Sequence, residues 1–148
     1  MDEQASPVAT LPCICSRVRR TARRVSQIYD RHLEPYGLSI TQYGIMAQLR
    51  RAPGLSIGEL AERMVMDPTS LTRSLKPLER MGRLSLATDP SDRRTRRLSL
   101  TPEGLAVLTT ARPGWEAAQR EVRAALGETA STDLVARLDD TLARLQPR

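Results

Sequence analysis

The sequence is poor in the residues that form disulfides, metal sites and most catalytic centres. Among 148 residues it contains two cysteines, one histidine and no phenylalanine. Cys13 and Cys15 lie too close together to staple a secreted scaffold, and they lack the second Cys or His pair that a structural zinc site needs. With His32 as the only histidine, most acid-base or nucleophilic schemes lack a member, and no phosphate-binding glycine loop or hydrolase motif is present. These absences predict a protein that is not an enzyme and that has no metal or cofactor.

Long apolar runs are also missing. The longest unbroken apolar stretch is residues 43–47 if Gly44 is counted, whereas a helix that crosses a bilayer needs about 20 such residues. The chain begins Met1-Asp2-Glu3, which is acidic and polar rather than the basic and apolar start of a secretory signal. We therefore expect no membrane partner and a cytoplasmic location.

The basic residues are concentrated in the first two thirds of the chain. The net charge is +6, with 17 basic and 10 acidic residues over positions 1–100 against 6 and 7 over positions 101–148. Arginine accounts for 22 of the 23 basic residues, and its planar guanidinium suits bidentate contacts to phosphate or guanine. This composition favours nucleic acid as the partner, although a solvated basic surface would have the same composition.

The sequence pattern of the N-terminal part of the chain predicts a flexible arm followed by one long helix. Residues 1–12 contain two prolines and no periodic apolar pattern, as an arm would. A stripe spaced alternately three and four residues apart then predicts a helix that Pro35 and Gly37 end. The stripe consists of Cys15, Val18, Ala22, Val25, Tyr29, His32 and Tyr36. Six arginines lie between these positions, at 17, 19, 20, 23, 24 and 31.

Three short helices are predicted next. The first covers residues 41–51, and the second begins after Ser56, which has the capping-box spacing to Glu59. For the third, Asp67-Pro68 supplies an N-cap acceptor and a proline at the first helical position. This helix should run to about residue 81, bend at an exposed Pro77 and bury one apolar face. That face consists of Leu71, Leu75 and Leu78, and the opposite face, which has no acid, consists of Thr69, Arg73, Lys76 and Arg80.

After Gly82 the apolar period changes from 3.6 to 2. Leucines alternate with other residues on both sides of the turn residues 89–92, which predicts a two-stranded hairpin. The cations that flank its tip are Arg93, Arg94, Arg96 and Arg97. Thr101-Pro102 then starts a helix to about Leu126 with a kink at Pro113, and a last, leucine-rich helix is predicted to follow Ser131.

This order of elements predicts a mainly α fold with a small β-hairpin wing, which is the winged helix-turn-helix arrangement. The first and last helices have more apolar surface than the winged core between them could bury. We expect a homodimer in which residues 13–37 and 102–148 form the dimerisation helices around a DNA-binding region, residues 38–101. Packing of the same stripes into a monomeric bundle is the alternative.

Four stretches of this sequence resemble the MarR family of bacterial transcriptional regulators, and the resemblance covers nearly the whole chain. The most specific part is the wing motif Asp-x-Arg followed by Leu-Thr-x-x-Gly. The four stretches are residues 55–61, 67–82, 92–94 and 100–104.

The resemblance implies a homodimer bound to a pseudo-palindromic operator. Ser70, Thr72 and Arg73 resemble the contacts of the recognition helix in that family. Arg94 resembles the wing arginine that enters the minor groove, and Asp92 the acid that orients it. Small organic anions release DNA in many members of the family, but no residue of this chain matches a ligand motif.

We therefore predict a dimeric, sequence-specific transcriptional regulator, a repressor released by a small organic ligand. Its candidate DNA-binding residues are Thr69, Ser70, Thr72, Arg73, Lys76, Asp92, Arg94 and Arg96.

Two alternatives stay open. One is a redox-responsive regulator, because a thiol near a helix N-terminus and several arginines is activated. Against it, Cys15 lies on the apolar stripe, where a free cysteine commonly serves as a small buried residue. The other is a winged-helix module that binds protein and not DNA.

Overall fold

Six helices and three strands make up the computed structural model, which describes residues 12–147. The arm expected over residues 1–12 therefore lies almost entirely outside the described residues. The order of the helices is the one that the sequence predicts. The elements are α1 Ile14–Leu33, α2 Ile40–Arg51, β1 Leu55–Ser56, α3 Ile57–Arg63, α4 Pro68–Arg80, β2 Leu84–Thr88, β3 Arg96–Leu100, α5 Pro102–Leu126 and α6 Glu128–Arg144.

Helix α1 is buried only near its C-terminal end. Tyr29 and Leu33 are buried, whereas Val18 is 50% exposed and Cys15 is exposed as well. The expectation that Cys15 is buried on the stripe is wrong within residues 12–147, because no other described element covers this part of α1. The helix also stops one turn before Tyr36, since Pro35 cannot donate a backbone hydrogen bond and a 3-10 turn follows instead.

The core is formed by α2, α3, α4 and the sheet, together with Leu33 of α1 and Leu108 and Ala111 of α5. Its fully buried side chains include the inward faces that periodicity predicts for these helices, and α4 continues through Pro77 to Arg80. Burial of each such side chain stabilises the fold by about 1.5–3 kcal/mol. The largest of these side chains are Leu33, Ile45, Met46, Leu49, Leu60, Leu71, Leu78 and Leu98.

The turn between α3 and α4 has a left-handed residue that is not glycine. The amides of Val65 and Met66 donate to the carbonyls of Glu62 and Ala61 at 3.1 and 2.9 Å, which closes a Schellman-type end to α3. Val65 takes a φ of +51° there. A β-branched residue in this region is strained, so the turn that precedes α4 stores backbone energy.

The sheet contains one strand more than the expected two-stranded hairpin. Strand β1 pairs antiparallel with β3, placing Leu55 opposite Leu98 and Ser56 opposite Arg97, and the strand order is β1-β3-β2. The predicted hairpin is present, and its register places Leu84 opposite Leu100 and Leu86 opposite Leu98. A two-residue strand between a turn and a helix cap has no period that sequence analysis could detect.

Helix α5 joins the sheet to the terminal helices and is continuous through Pro113. At its start, a Cβ on Gly104 would lie 1.8 Å from the carbonyl oxygen of Arg83, so only glycine allows this approach. At its middle, a Cβ on Gly114 would lie 2.6 Å from the carbonyl oxygen of His32 in α1. These two contacts fix α5 against Arg83, which precedes β2, and against α1.

Helix α6 starts earlier than predicted. It begins at Glu128 rather than after Ser131, because Gly127, with a φ of +87°, turns the chain directly out of α5. Ser131 is a buried helical residue whose hydroxyl donates to the carbonyl of Gly127 at 2.7 Å. Within residues 12–147 no helix is both long and apolar enough to cross a membrane.

Helices α1, α5 and α6 enclose an open apolar cleft of about 510 Å³. We call it the terminal cleft. Val25 and Val122 line it, together with Leu134 and Leu138 of α6. Further along α6, Leu142 and Leu145 are 53% and 74% exposed. Among residues 12–147, no other element covers the apolar face of α6 at these positions.

Candidate nucleic-acid interface

The exposed face of α4 is formed by cations and hydroxyl groups without an acid. Pro68, Thr69, Thr72, Arg73 and Lys76 line one shallow groove along this helix. In the part of the chain that the structure describes, neither Arg73 nor Lys76 forms an ion pair. Both charges are therefore available to an anionic partner.

The N-terminal end of this face is fixed by Asp67. Its Oδ1 accepts the backbone N–H of Ser70 at 2.8 Å, which is the predicted N-cap. Hydrogen bonds from Ser70 lower the pKa of Asp67, so the cap stays ionised at neutral pH. Thr72 donates its hydroxyl to the carbonyl of Pro68 at 2.8 Å and keeps its oxygen lone pairs for another donor.

The wing tip is ordered by Asp92. Its Oδ1 accepts the backbone N–H of Arg94 at 3.0 Å, and its Oδ2 accepts the hydroxyl of Thr95 at 2.8 Å. These bonds lower the pKa of Asp92. The resemblance implied that Asp92 orients Arg94; in this structure it holds the backbone of Arg94, whose side chain is exposed.

The four arginines near the wing tip are not equivalent. Arg93, Arg94 and Arg96 are exposed and form no ion pair among residues 12–147. Arg97 is half-buried and pairs with Asp89 and Glu59. All four flank the tip in the sequence, but strand alternation does not indicate the acidic partners of Arg97.

Asp89 is the buried acid at the start of the wing loop. Its Oδ1 accepts both the backbone N–H and the hydroxyl of Ser91, at 2.8 and 2.7 Å, and its Oδ2 accepts Nε of Arg97 at 2.8 Å. These hydrogen bonds, those of Ser91 first, lower the pKa of Asp89 to about 2. The wing therefore has two ionised aspartates whose acceptors are used within the loop and by Arg97 of β3.

A second groove lies between the start of α3 and the wing. It is lined by residues 56–58 on one side and by Arg94, Thr95 and Arg96 on the other. Of the eight candidate DNA-binding residues, five are on α4 and three on the wing loop or its following strand. The structure thus places them on two neighbouring elements of one domain.

The contact between α1 and α5 contains a separate charged cluster. Arg31 donates to both oxygens of Glu121 at 2.5 and 2.7 Å, and Nε2 of His32 lies 2.7 Å from Oε2 of the same carboxylate. These partners lower the pKa of Glu121. His32 therefore has a structural partner in α5.

Both cysteines are exposed at the start of α1. Cys13 is the N-cap residue, and its Sγ accepts the backbone N–H of Ser16 at 3.4 Å. Cys15 lies one residue inside the helix. Both thiols are therefore accessible to a small oxidant in this chain.

Comparison with known proteins adds family information. The model of the MarR family matches residues 38–95. The transcriptional activatory protein BadR of Rhodopseudomonas palustris is 31% identical over 116 residues. That alignment covers 76% of this chain and 62% of BadR, so the chain spans less than two thirds of the length of this curated relative.

Two solved structures are similar along most of the chain. The M. tuberculosis transcriptional regulator MosR in complex with DNA is 34% identical, with a TM-score of 0.76 over 91% of this chain and 100% of that one. The transcriptional repressor CouR bound to a 23-mer DNA duplex has a TM-score of 0.81 at 22% identity, over 96% and 99% of the two chains. At that identity, the likeness to CouR concerns the fold alone.

Proposed function

The chain belongs to the MarR family, and from this premise we propose that it is a transcriptional regulator that binds duplex DNA. The observation that carries the proposal is the groove of α4, where Thr69, Arg73 and Lys76 present cations and hydroxyls without a competing acid. Hydroxyls and lysine suit phosphate contacts, and an arginine suits the O6 and N7 of guanine. The relatives are regulators, in agreement with the prediction that this chain is not an enzyme.

The proposed partner of the terminal cleft is a second copy of this chain. Leu138 and Leu142 of α6 are about half exposed, and a large apolar surface of this kind marks an interaction site. A two-fold dimer would present two α4 helices to half-sites about 10 base pairs apart, centre to centre. In this proposal residues 13–37 and 102–148 are the dimerisation helices, and residues 38–101 bind DNA in the cytoplasm.

The wing adds minor-groove contacts through Arg94. A narrow A·T-rich minor groove concentrates negative potential, which favours an inserted arginine. Arg94→Ala should therefore weaken specific binding more than Arg93→Ala and should reduce the preference for A·T flanks. Equal losses for the two variants, with the flank preference intact, would mean that the wing supplies only diffuse charge.

Footprinting of the purified protein on the DNA upstream of its own gene tests the proposed function. Two protected half-sites about one turn apart are expected, with affinity that falls steeply as salt rises. Arg73→Ala should cost about 1–3 kcal/mol and relax base preference, whereas uniform weakening would assign Arg73 to a phosphate. Absence of any salt-dependent shift of duplex DNA would favour the protein-interaction module instead.

We further propose that the protein represses transcription and that a small organic anion relieves this repression, as the family resemblance implies. Transcription from the footprinted promoter in vitro should fall when the protein is added and recover with an aromatic carboxylate or phenol. A rise in transcription on adding the protein would make it an activator. Retention of the repressed state across such a panel of compounds would contradict relief by a ligand.

A redox-responsive regulator is the second candidate, and the exposure of both thiols favours it. Peroxide would oxidise one thiolate to a sulfenic acid with release of hydroxide, and the second thiol would then form a disulfide with loss of water. Peroxide should weaken DNA binding, and a thiol reductant should restore it. A variant with serine at both Cys13 and Cys15 should not respond; an unchanged response would exclude these cysteines.

A further inference from the structure

Arg97 connects the wing to the start of the helix-turn-helix. Its Nε donates to Oδ2 of Asp89 at 2.8 Å on the wing side. Its NH1 group donates to Oε2 of Glu59 at 3.0 Å and to the carbonyl of Gly54 at 3.3 Å on the other side. We call these contacts the Arg97 bridge. They join residues that are 8, 38 and 43 positions apart in the sequence.

Each end of the Arg97 bridge is itself held in place. Asp89 is 8% exposed and is bonded to Ser91 through its other oxygen, and its backbone N–H donates to the carbonyl of Thr95 at 2.9 Å. Oε2 of Glu59 also accepts the backbone N–H of Ser56 at 2.7 Å within the capping box of α3. The bridge therefore runs from a fixed point in the wing loop to a fixed point at the start of α3.

The charge of Arg97 is compensated within the protein. Two carboxylates face it, one of them almost fully buried, and they raise its pKa further. A guanidinium with its N–H groups directed at these partners has little left to offer a phosphate. Arg93, Arg94 and Arg96, by contrast, have no ion-pair partner among the described residues.

We propose that Arg97 is a positioning residue that fixes the wing relative to α3 and α4, so that Arg94 reaches the minor groove while α4 lies in the major groove. This inference rests on the proposed DNA-binding function. Arg97 acts through Arg94 and makes no DNA contact of its own. The role extends to Asp89 and Glu59, the two acids that hold the guanidinium of Arg97.

Substitution of Asp89 tests the role of Arg97, because positioning and direct DNA contact predict opposite changes in DNA affinity. If Arg97 contacted phosphate, Asp89→Asn would free its charge and tighten DNA binding. If Arg97 positions the wing, the same change weakens binding. An asparagine cannot accept from Ser91 and Arg97 at once, because its amide group would face the donors of one of them.

The experiment measures the affinity of full-length protein for two duplexes that contain the footprinted site, one with A·T flanks and one with G·C flanks. Arg97→Ala should lower affinity for the A·T duplex about tenfold, as expected for loss of one specific contact, and should remove most of the flank preference. In an Arg94→Ala background the same change should cost less than about twofold. Asp89→Asn should weaken binding, and Arg93→Ala, the matched cation control, should leave the flank preference intact.

Three results would overturn the inference. Additive losses for Arg97→Ala and Arg94→Ala would mean that Arg97 contacts DNA by itself, as would tighter binding by Asp89→Asn. Equal loss on both duplexes would mean that Arg97→Ala only reduces the fraction of folded protein. Failure of the unmodified protein to bind any duplex would instead refute the proposed function, and the inference with it, so the two failures are distinguishable.

Discussion

The helix-turn-helix and its wing differ from the terminal helices α1 and α6 in how far their apolar side chains are buried and their charged side chains are paired. In residues 38–101 the apolar side chains that face inward are buried, and Arg97, Asp67, Asp89 and Asp92 have partners within the same unit. In α1 and α6 the apolar stripes remain largely exposed. Within residues 12–147, the first unit thus covers its own inward apolar side chains, whereas the stripes of α1 and α6 are left without a covering surface.

Truncation of a side chain in the central core should give the largest loss of folding stability. Leu98 is fully buried between the sheet and the helices, so Leu98→Ala should lower the free energy of unfolding by about 2–5 kcal/mol. Leu105, 44% exposed on α5, is the control, and Leu105→Ala should cost less than about 1 kcal/mol. Chemical denaturation at fixed protein concentration gives both values. Similar losses for the two variants would contradict the contrast in burial.

A charge placed in the terminal cleft should break the proposed dimer without unfolding residues 38–101. Leu138→Glu puts a carboxylate on the apolar face of α6 and should raise the dimer dissociation constant about 100-fold or more. Thr132→Glu adds the same charge on an exposed position of α6 outside the cleft and should leave it unchanged. Sedimentation measures both, and a mass of 16.5 kDa for the unmodified protein at micromolar concentration would refute the dimer.

A smaller loss of folding stability is expected when pH is lowered, and it should come from Asp89 in the wing. Folding lowers the pKa of Asp89 from 3.8 to about 2, so the folded state binds this proton less readily than the unfolded state does. The stability that Asp89 provides is therefore present above about pH 4 and is lost as pH falls towards 2. Unfolding curves at pH 7 and pH 2.5 should show a difference between the unmodified protein and Asp89→Asn that shrinks at the lower pH. A constant difference would contradict the assignment.

The smallest effect concerns Val65 in the turn before α4. A left-handed conformation costs a residue with a side chain about 1–2 kcal/mol, and glycine relieves this strain at an entropic cost of about 0.5–1 kcal/mol. Val65→Gly should therefore stabilise the protein by up to about 1 kcal/mol in urea denaturation. Val65→Ala is the matched control, because it keeps the Cβ and should give no comparable gain. Equal gains would point to the exposed valine side chain rather than to the backbone.

Local patterns predicted most of the fold of the central unit. The N-cap of Asp67, the capping box of Ser56 and Glu59 and the inward leucines of α4 each depend on residues three or four apart, and such short-range rules can be applied to a sequence directly. The start of α6 was predicted late because Gly127 has no side chain to mark the cap.

Pairings between distant residues could not be predicted in this way. Strand β1 has only two residues, and it exists because Leu98 pairs with Leu55 across the sheet. The Arg97 bridge depends on Glu59, 38 residues away. The candidate residues of α4 were placed on one face by helical period, but the division of the wing arginines into exposed and paired members required the three-dimensional arrangement.

Helix α5 also sets the distance between the central unit and the terminal cleft. Its 25 residues span about 37 Å at 1.5 Å per residue. One end is held against Arg83 through Gly104, its middle against α1 through Gly114, and its far end lines the terminal cleft. In a dimer, α5 would thus fix the separation of the two α4 helices, and this separation would set the spacing between the two half-sites of the DNA that the protein selects. Insertion of about five base pairs between half-sites would turn one half-site to the opposite face of the duplex, beyond the reach of a helix of constant length.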